Sequence, residues 1–288
     1  MAFAFDPSYR SRLLALPRLL EQGNGPGAGL RARMRGGRIE FHDHRAYVPG
    51  DDPRDIDWSL FLRLDVLAVK EFRRDEAPAV TVILDRSGSM GREGGGKDRI
   101  QREVAGGLVH AALRAGAPVS LAVLGEAGPR VLARFRSTRE LDALLSGLER
   151  LEPPGGPTWL TSITRLPPAR GVGRVVFLLS DFLVEPPPAE CLPVLARGSG
   201  TGFLLHLVAE EERRPSLRET AVVRDPETGE TLLLPDTRAI LPHYLEELAR
   251  HEEEILRLAR AHGLGHALVD DVHPFETTIL HLLRGGRT

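Results

Sequence analysis

Three oxygen-bearing side chains directly follow an apolar run in the segment VTVILDRSGSM, residues 80–90. Asp85, Ser87 and Ser89 alternate along it, and alternate residues of an extended chain point the same way. A converging carboxylate and two hydroxyls suit a hard cation such as Mg²⁺ or Mn²⁺, with Ca²⁺ as a further candidate. A helix-capping turn is the alternative, since Asp and Ser also cap helices.

A second carboxylate stands at the end of another apolar run. Asp181 closes RVVFLLSDF, and Thr158 lies in a glycine-rich loop between the two runs. Together these residues supply two carboxylates and three hydroxyls. Two carboxylates only balance a divalent charge, so an open coordination position would favour an acidic group from a partner protein.

The elements that must position these residues alternate between strands and helices. The patterns predict strands at 79–85, 118–124, 130–136, 174–182, 201–209 and 266–271, and helices at 98–114, 137–148, 239–262 and 274–283. Such alternation predicts a doubly wound, mostly parallel α/β sheet covered on both faces. Sites in these sheets form at the carboxyl ends of strands, where Asp85 and Asp181 stand.

The N-terminal quarter has a different character. A leucine-striped helix is predicted at 7–22. Residues 30–78 are dense in charge and are predicted as a charged loop with an extended segment, LAVKEFRRDE, at 67–76. We therefore predict an N-terminal appendage at 1–78, because this stretch has too little apolar sequence for its own core. The main domain is predicted at 79–288, with a hairpin excursion near 220–234 around the turn sequence PETGE.

Composition excludes several classes of function. The net charge of −2 and the scattered arginines give no polyanion-binding signal, so no nucleic-acid partner is expected. The single cysteine, Cys191, excludes an intramolecular disulfide framework. No apolar run approaches the ~20 residues of a membrane span, and the N-terminus lacks the pattern of a signal peptide. A cytoplasmic protein is expected.

The oxygen-donor pattern resembles the metal ion-dependent adhesion site of von Willebrand factor A domains. That signature joins D-x-S-x-S, a threonine after a Gly-Gly loop, and an aspartate that ends a later strand. The sequence has GGPT in place of Gly-Gly-Thr, which leaves Thr161 as a rival threonine, and LLSDF where many relatives have aspartate followed by glycine. The resemblance implies the metal ligands Asp85, Ser87, Ser89, Thr158 and Asp181.

A longer resemblance covers residues 35–285. The block YVPGDDPRDIDWSLFLRLDVLAVKEFRRDE, followed by a strand and DRSGSM, resembles the bacterial domain of unknown function 58 family, which joins such a block to a von Willebrand A-like domain. Relatives often accompany MoxR-type AAA+ ATPases. The resemblance therefore implies a non-enzymatic, metal-dependent protein-interaction module that works with such an ATPase.

Two other functions have weaker support. His42 and His44 flank Asp43 near further carboxylates, which suggests a metal-dependent hydrolase, although local pairing of these charges explains the segment better. GREGGGKD, residues 91–98, approaches a nucleotide-binding loop, but Asp98 replaces the expected Ser or Thr, and a capping role for Asp98 is preferred. His206, within an apolar strand, is interpreted as a core histidine with its hydrogen bonds satisfied rather than as a ligand.

Overall fold

The computed structural model describes residues 3–22, 39–53, 56–74, 77–91, 96–125, 128–155, 163, 174–184, 192–196, 200–216 and 220–283. Its strands are β1 (Ile39–Ala46), β2 (Ala68–Arg74), β3 (Ala79–Asp85), β4 (Val119–Gly125), β5 (Gly128–Phe135), β6 (Arg174–Ser180), β7 (Gly200–Val208), β8 (Ala221–Arg224), β9 (Thr231–Leu234) and β10 (Gly265–Asp270). Its α-helices are α1 (Tyr9–Gln22), α2 (Trp58–Leu64), α3 (Gly96–Arg114), α4 (Leu141–Glu149), α5 (Glu210–Arg213), α6 (Thr237–Ala261) and α7 (Phe275–Leu283).

A six-stranded sheet forms the centre of the molecule. Its strand order is β10-β7-β6-β3-β4-β5. Every neighbouring pair is parallel except β4 and β5, which form an antiparallel edge. The predicted α/β class with a mostly parallel sheet is confirmed. Strand β3 lies in the interior between β6 and β4, as its apolar, β-branched sequence predicts.

Helices cover both faces of this sheet. Val82 and Leu84 belong to the core cluster that includes residues of α1, α3, α4 and α7. Ile83 points to the opposite face and joins a second cluster with residues of α6. Helix α1 packs on α3, where the Tyr9 hydroxyl donates to the carbonyl of Glu103 at 2.6 Å. The alternation of neighbouring side chains between two cores is the physical basis of the doubly wound arrangement.

Two small antiparallel sheets lie outside the central one. Strands β1 and β2 pair with each other, and β8 pairs with β9 as a hairpin. The charged segment predicted as a loop therefore contains a strand, β1, and a short helix, α2. Charge-rich elements carry little apolar periodicity, and β1 also has an irregular register between Phe41 and Asp43. The division at residue 78 into appendage and main domain stays a prediction.

Three residues to which the sequence analysis gave a role cannot be placed in the structure. Thr158, Thr161 and Cys191 lie outside the described residues. In the part of the chain that the structure describes, no helix combines the length and the apolar character needed to cross a membrane.

Candidate metal centre at the strand ends

The two strand-end aspartates lie on neighbouring strands. Leu84 of β3 pairs with Leu179 of β6, so Asp85 stands beside Ser180, and Asp181 lies one residue beyond. Both aspartates are almost completely buried, with exposed fractions of 1% for Asp85 and 3% for Asp181. Parallel pairing thus brings the two predicted carboxylate ligands to one edge of the sheet.

The Asp85 segment folds back on its own carboxylate. One Asp85 oxygen accepts from the Ser87 backbone amide at 2.9 Å, and the other accepts from the Ser180 hydroxyl at 2.5 Å. The Ser87 and Ser89 hydroxyls lie 3.1 Å apart. A short 3₁₀ turn, Gly88–Gly91, holds this geometry. The structure therefore brings the oxygen atoms of the predicted triplet together.

The Asp85 carboxylate is poorly balanced electrically. Burial, and next the nearby charge of Asp181, raise its pKa to about 6. No cationic side chain among the described residues pairs with Asp85 within 4 Å. The guanidinium of adjacent Arg86 instead contacts Asp98 at 2.5 Å and Gln101 at 3.1 Å. At neutral pH this position holds a buried negative charge whose hydrogen bonds come from neutral donors.

Asp181 has a cationic partner. The Lys97 ammonium donates to Asp181 at 2.8 Å and to Glu212 at 2.6 Å, and its side chain is 3% exposed. Burial alone would lower the pKa of Lys97, but the two carboxylates outweigh burial and raise it. The second Asp181 oxygen accepts from the Leu183 amide at 3.2 Å. Lys97 therefore remains charged and shares its proton donors between two carboxylates.

The chain makes an unusual turn directly after Asp181. Phe182 has a φ of 56°, in the left-handed region that favours glycine. Its amide donates to the Ser180 hydroxyl at 2.9 Å, and its buried ring meets the edge of the His206 ring. A non-glycine residue here costs roughly 1 kcal/mol or more. The sequence LLSDF thus places a phenylalanine where the backbone favours glycine, and its ring adds an apolar contact.

A glutamine connects the two strand ends. The Gln101 side-chain amide of α3 donates to the carbonyls of Asp85 at 2.9 Å and Leu179 at 3.0 Å. Sequence analysis missed Gln101, Ser180 and Glu212, and it assigned Lys97 only to the nucleotide-loop alternative. Ser180 could have been found from its place beside Asp181, whereas Glu212 is 115 residues from Lys97 in the chain and has no local signal.

The donor set fits a hard cation by charge and by atom type. Asp85, Asp181, Glu212 and Glu227 bring four carboxylates to this region, and Lys97 is the ammonium between two of them. One Glu227 oxygen accepts from the Ser89 amide at 2.8 Å, while the other is buried without a hydrogen-bond partner among the described residues. A buried carboxylate oxygen without a donor is costly, and a cation would compensate it.

The same geometry limits the kind of metal site. Within the described residues, no three or more His, Cys, Asp and Glu side chains group as a metal site. An ion at the strand ends would depend on the serine hydroxyls together with the carboxylates. Hydroxyl and carboxylate oxygens suit Mg²⁺, Mn²⁺ or Ca²⁺ better than a thiolate- or imidazole-preferring ion.

The lysine that a nucleotide-binding loop would need is already paired with two carboxylates. Lys97, which would contact phosphate, is buried between Asp181 and Glu212. Asp98 pairs with Arg86 and with Arg102, and it lies in the first turn of α3 rather than at the predicted cap position. Residues 92–95 lie outside the described residues.

The charged N-terminal segment pairs locally. The His44 ring lies 2.9 Å from Asp57, which also caps α2, and Arg45 binds Asp51 through two contacts of 2.6 Å. The His42 side chain lies outside the described part of the structure. These contacts favour the structural interpretation over a metal-dependent hydrolase that uses His42 and His44.

His206 is buried in β7, as predicted, but its Nδ1 has no hydrogen-bond partner among the described residues, so the expected satisfaction of the ring is not met at that atom. Burial, together with His251 and His266, holds its pKa well below the usual range. Its ring lies edge-on to those of Phe182 and His251, at centroid distances of 5.6 and 5.2 Å. The neutral ring packs beneath the strand ends and adds no positive charge to them.

Comparison with known proteins gives one family match. The family described as "Protein of unknown function DUF58" matches residues 43–254. No curated protein matches the sequence. Among solved structures, conserved hypothetical protein BatB from Bacteroides thetaiotaomicron is 16% identical, with a TM-score of 0.44, over 71% of this chain and 96% of that one. An aerotolerance-related membrane protein from Bacteroides fragilis NCTC 9343 is 14% identical, with a TM-score of 0.44, over 72% and 96% of the respective chains.

Proposed function

The chain belongs to the DUF58 family of proteins of unknown function, and on that premise we propose that it is a non-enzymatic, metal-dependent protein-interaction module. Its core would be of the von Willebrand A type, and a divalent cation, Mg²⁺ or Mn²⁺, would bind at the ends of β3 and β6. Asp85, Ser87, Ser89 and Asp181 would hold the ion, with Thr158 or Thr161 as a further ligand.

The observation that carries this proposal is the surroundings of Asp85. A carboxylate that is buried, close to Asp181 and without an ion-pair partner among the described residues is unfavourable unless a cation joins it. Two serine hydroxyls 3.1 Å apart lie on the same short turn. A divalent ion would relieve the repulsion between the aspartates, and the hydroxyls would complete an all-oxygen donor set.

The proposed partner is a protein that offers an acidic side chain. The ligands from the strand ends bring two negative charges, so a divalent ion with an open position would bind a further carboxylate favourably. The family resemblance supports a MoxR-type AAA+ ATPase as that partner and the cytoplasm as the compartment. The bacterial setting and the adaptor role rest on the same resemblance.

Titration calorimetry with Mg²⁺ and Mn²⁺ tests the metal site. We expect the native protein to bind, Asp85→Ala to lose binding, and Asp181→Ala to bind more weakly. Asp142→Ala, which removes a carboxylate with 73% side-chain exposure, is the matched control and should bind as the native protein does. Unchanged affinity in Asp85→Ala would refute the site.

A purified MoxR-type ATPase tests the partner. Binding should require divalent metal, fail in excess EDTA, and fail when Ser87 and Ser89 are both changed to alanine. Circular dichroism should show that this double variant remains folded. Full retention of the ATPase in EDTA would refute recognition through the metal and leave the site with a structural role.

A further inference from the structure

The turn of the β8–β9 hairpin rests directly on the Asp85–Ser89 segment. Glu227 accepts from the Ser89 amide at 2.8 Å across 138 residues of chain. Beside it, a Cβ at Gly88 would lie 2.3 Å from the carbonyl oxygen of Pro226. Any larger residue at position 88 would push the hairpin away, so Gly88 permits this close backbone approach.

The turn presents Glu227 in a fixed orientation. The Asp225 carboxylate accepts from the Glu227 amide at 2.8 Å and from the Thr228 hydroxyl at 2.9 Å. Gly229 has a φ of 78° and donates its amide to the Asp225 carbonyl at 2.8 Å. These contacts all lie within the turn itself, so they would lower the conformational entropy that Glu227 loses on reaching the strand ends.

Burial of apolar surface does not explain why the hairpin lies there. The exposed fractions of Val222, Leu232 and Leu233 are 68%, 62% and 59%. The contacts that join the turn to the Asp85–Ser89 segment are instead polar or main-chain contacts. The hairpin therefore places the Glu227 carboxylate against the Asp85–Ser89 segment, while its strands remain largely in solvent.

The two oxygens of the Glu227 carboxylate have different surroundings. Glu227 Oε1 has the Ser89 amide, but Oε2 is buried and lacks a hydrogen-bond partner among the described residues. The Ser89 amide that Glu227 binds belongs to the turn that carries the proposed ligands Asp85, Ser87 and Ser89. A cation bound at this turn would satisfy the unpartnered oxygen of Glu227.

We infer that Glu227 is an in-chain ligand of this cation, an inference that rests on the proposed function. The hairpin then occupies the coordination position that an acidic partner would take. A partner carboxylate must displace Glu227 to reach the ion, so the docked turn lowers the affinity for weak acidic ligands and makes recognition selective.

The test uses Mn²⁺ and the full chain. Titration calorimetry gives the affinity, and water-proton relaxation gives the number of water molecules on the bound ion. Glu227→Gln keeps the shape of the side chain and removes its charge, and Glu230→Gln, on the same hairpin but exposed, is the matched control. We expect Glu227→Gln to weaken Mn²⁺ binding roughly tenfold or more, because ligand charge sets the affinity of such sites. Glu227→Ala, which removes both oxygens, should gain a bound water.

Acetate is the probe for the vacated position. In Glu227→Ala, added acetate should displace Mn²⁺-bound water and lower the relaxation enhancement, whereas the native protein should respond little. An indirect, structural effect of the substitution would weaken binding without changing the water count, which would refute direct ligation by Glu227.

The results separate this inference from the proposed function. If Asp85→Ala loses Mn²⁺ while Glu227→Gln keeps the native affinity and Glu227→Ala keeps the native water number, the in-chain ligand is refuted and the metal site stands. If Asp85→Ala binds Mn²⁺ as well as the native protein does, both the proposed metal site and the proposed in-chain ligand are refuted.

Discussion

The carboxylates at the ends of β3 and β6 occupy equivalent places in the sheet but have different electrical surroundings. Asp181 binds the Lys97 ammonium at 2.8 Å. Asp85 binds a backbone amide and the Ser180 hydroxyl, and its pKa is raised to about 6 by burial and by Asp181. The chain thus supplies a cation to one strand end and leaves the other to neutral donors.

In the metal-free protein, this asymmetry separates a carboxylate that is already neutralised from one that is not. Lys97 balances the charge of Asp181 and links the start of α3 to the sheet. A buried carboxylate without a cation has a free energy that depends on pH and on added metal. We therefore expect substitutions at the two ends to have opposite effects on the stability of the metal-free protein.

The largest expected effect is at Lys97. Lys97→Met leaves the Asp181 and Glu212 carboxylates without their ammonium, which should lower the free energy of unfolding by about 3–5 kcal/mol. Urea denaturation in EDTA measures it. Arg114→Met, an exposed cation at the end of the same helix, is the control and should cost under about 1 kcal/mol. An equally small loss for Lys97→Met would show that Asp181 does not depend on Lys97.

The next effect directly compares the two aspartates. In EDTA at about pH 8, Asp85→Asn should raise the free energy of unfolding by up to about 3 kcal/mol, since one pKa unit corresponds to about 1.36 kcal/mol and the Asp85 pKa lies near 6 rather than 3.8. Asp181→Asn should instead lower it by about 1–3 kcal/mol, because Lys97 loses a charged acceptor. Thermal or urea unfolding checks both. Changes of the same sign would contradict the asymmetry.

The sequence predicts the sheet well because its central strands carry their own signal. The run at 80–84 is apolar and β-branched, and β3 lies at 79–85 in the interior of the sheet. Asp85 and Asp181 were found because strand-end placement follows from the same pattern. Local sequence determines which residues stand at a strand end, and parallel pairing then brings them together.

Contacts between distant segments could not be predicted in this way. Lys97 meets Glu212, and Ser89 meets Glu227, across 115 and 138 residues. The turn sequence PETGE predicts a hairpin but gives no information about where its tip rests. Strand β1 was missed because charged residues obscure its alternation. The metal ligands themselves stay predictions, with Thr158 outside the described residues.

The difference between native protein and Asp85→Asn should depend on pH. Between about pH 4 and 6 the folded native protein keeps the Asp85 proton that the unfolded chain has released, so its stability falls as pH rises through this window. The Asn variant lacks this contribution. The two proteins should have similar relative stability below about pH 4 and diverge up to about pH 6, which a series of EDTA unfolding curves measures. A difference that stays constant across the window would contradict a raised pKa of Asp85.

The smallest expected effect tests the neutral donor that Asp85 has in place of a cation. The Ser180 hydroxyl donates to Asp85 at 2.5 Å, lowers the Asp85 pKa from the value that burial alone would give, and accepts from the Phe182 amide at 2.9 Å. Ser180→Ala should lower the free energy of unfolding by about 1–2 kcal/mol near pH 8, because a hydrogen bond to a charged acceptor is lost.

In the Asp85→Asn background the loss should be smaller, since the acceptor is neutral and only the contact with the Phe182 amide remains at full strength. A double-mutant cycle in EDTA measures this coupling. Coupling that is large near pH 8 and fades near pH 4 would show that the hydroxyl acts on the charge of Asp85. Coupling that is independent of pH would assign Ser180 to the Phe182 turn alone and leave the Asp85 charge supported by the Ser87 amide.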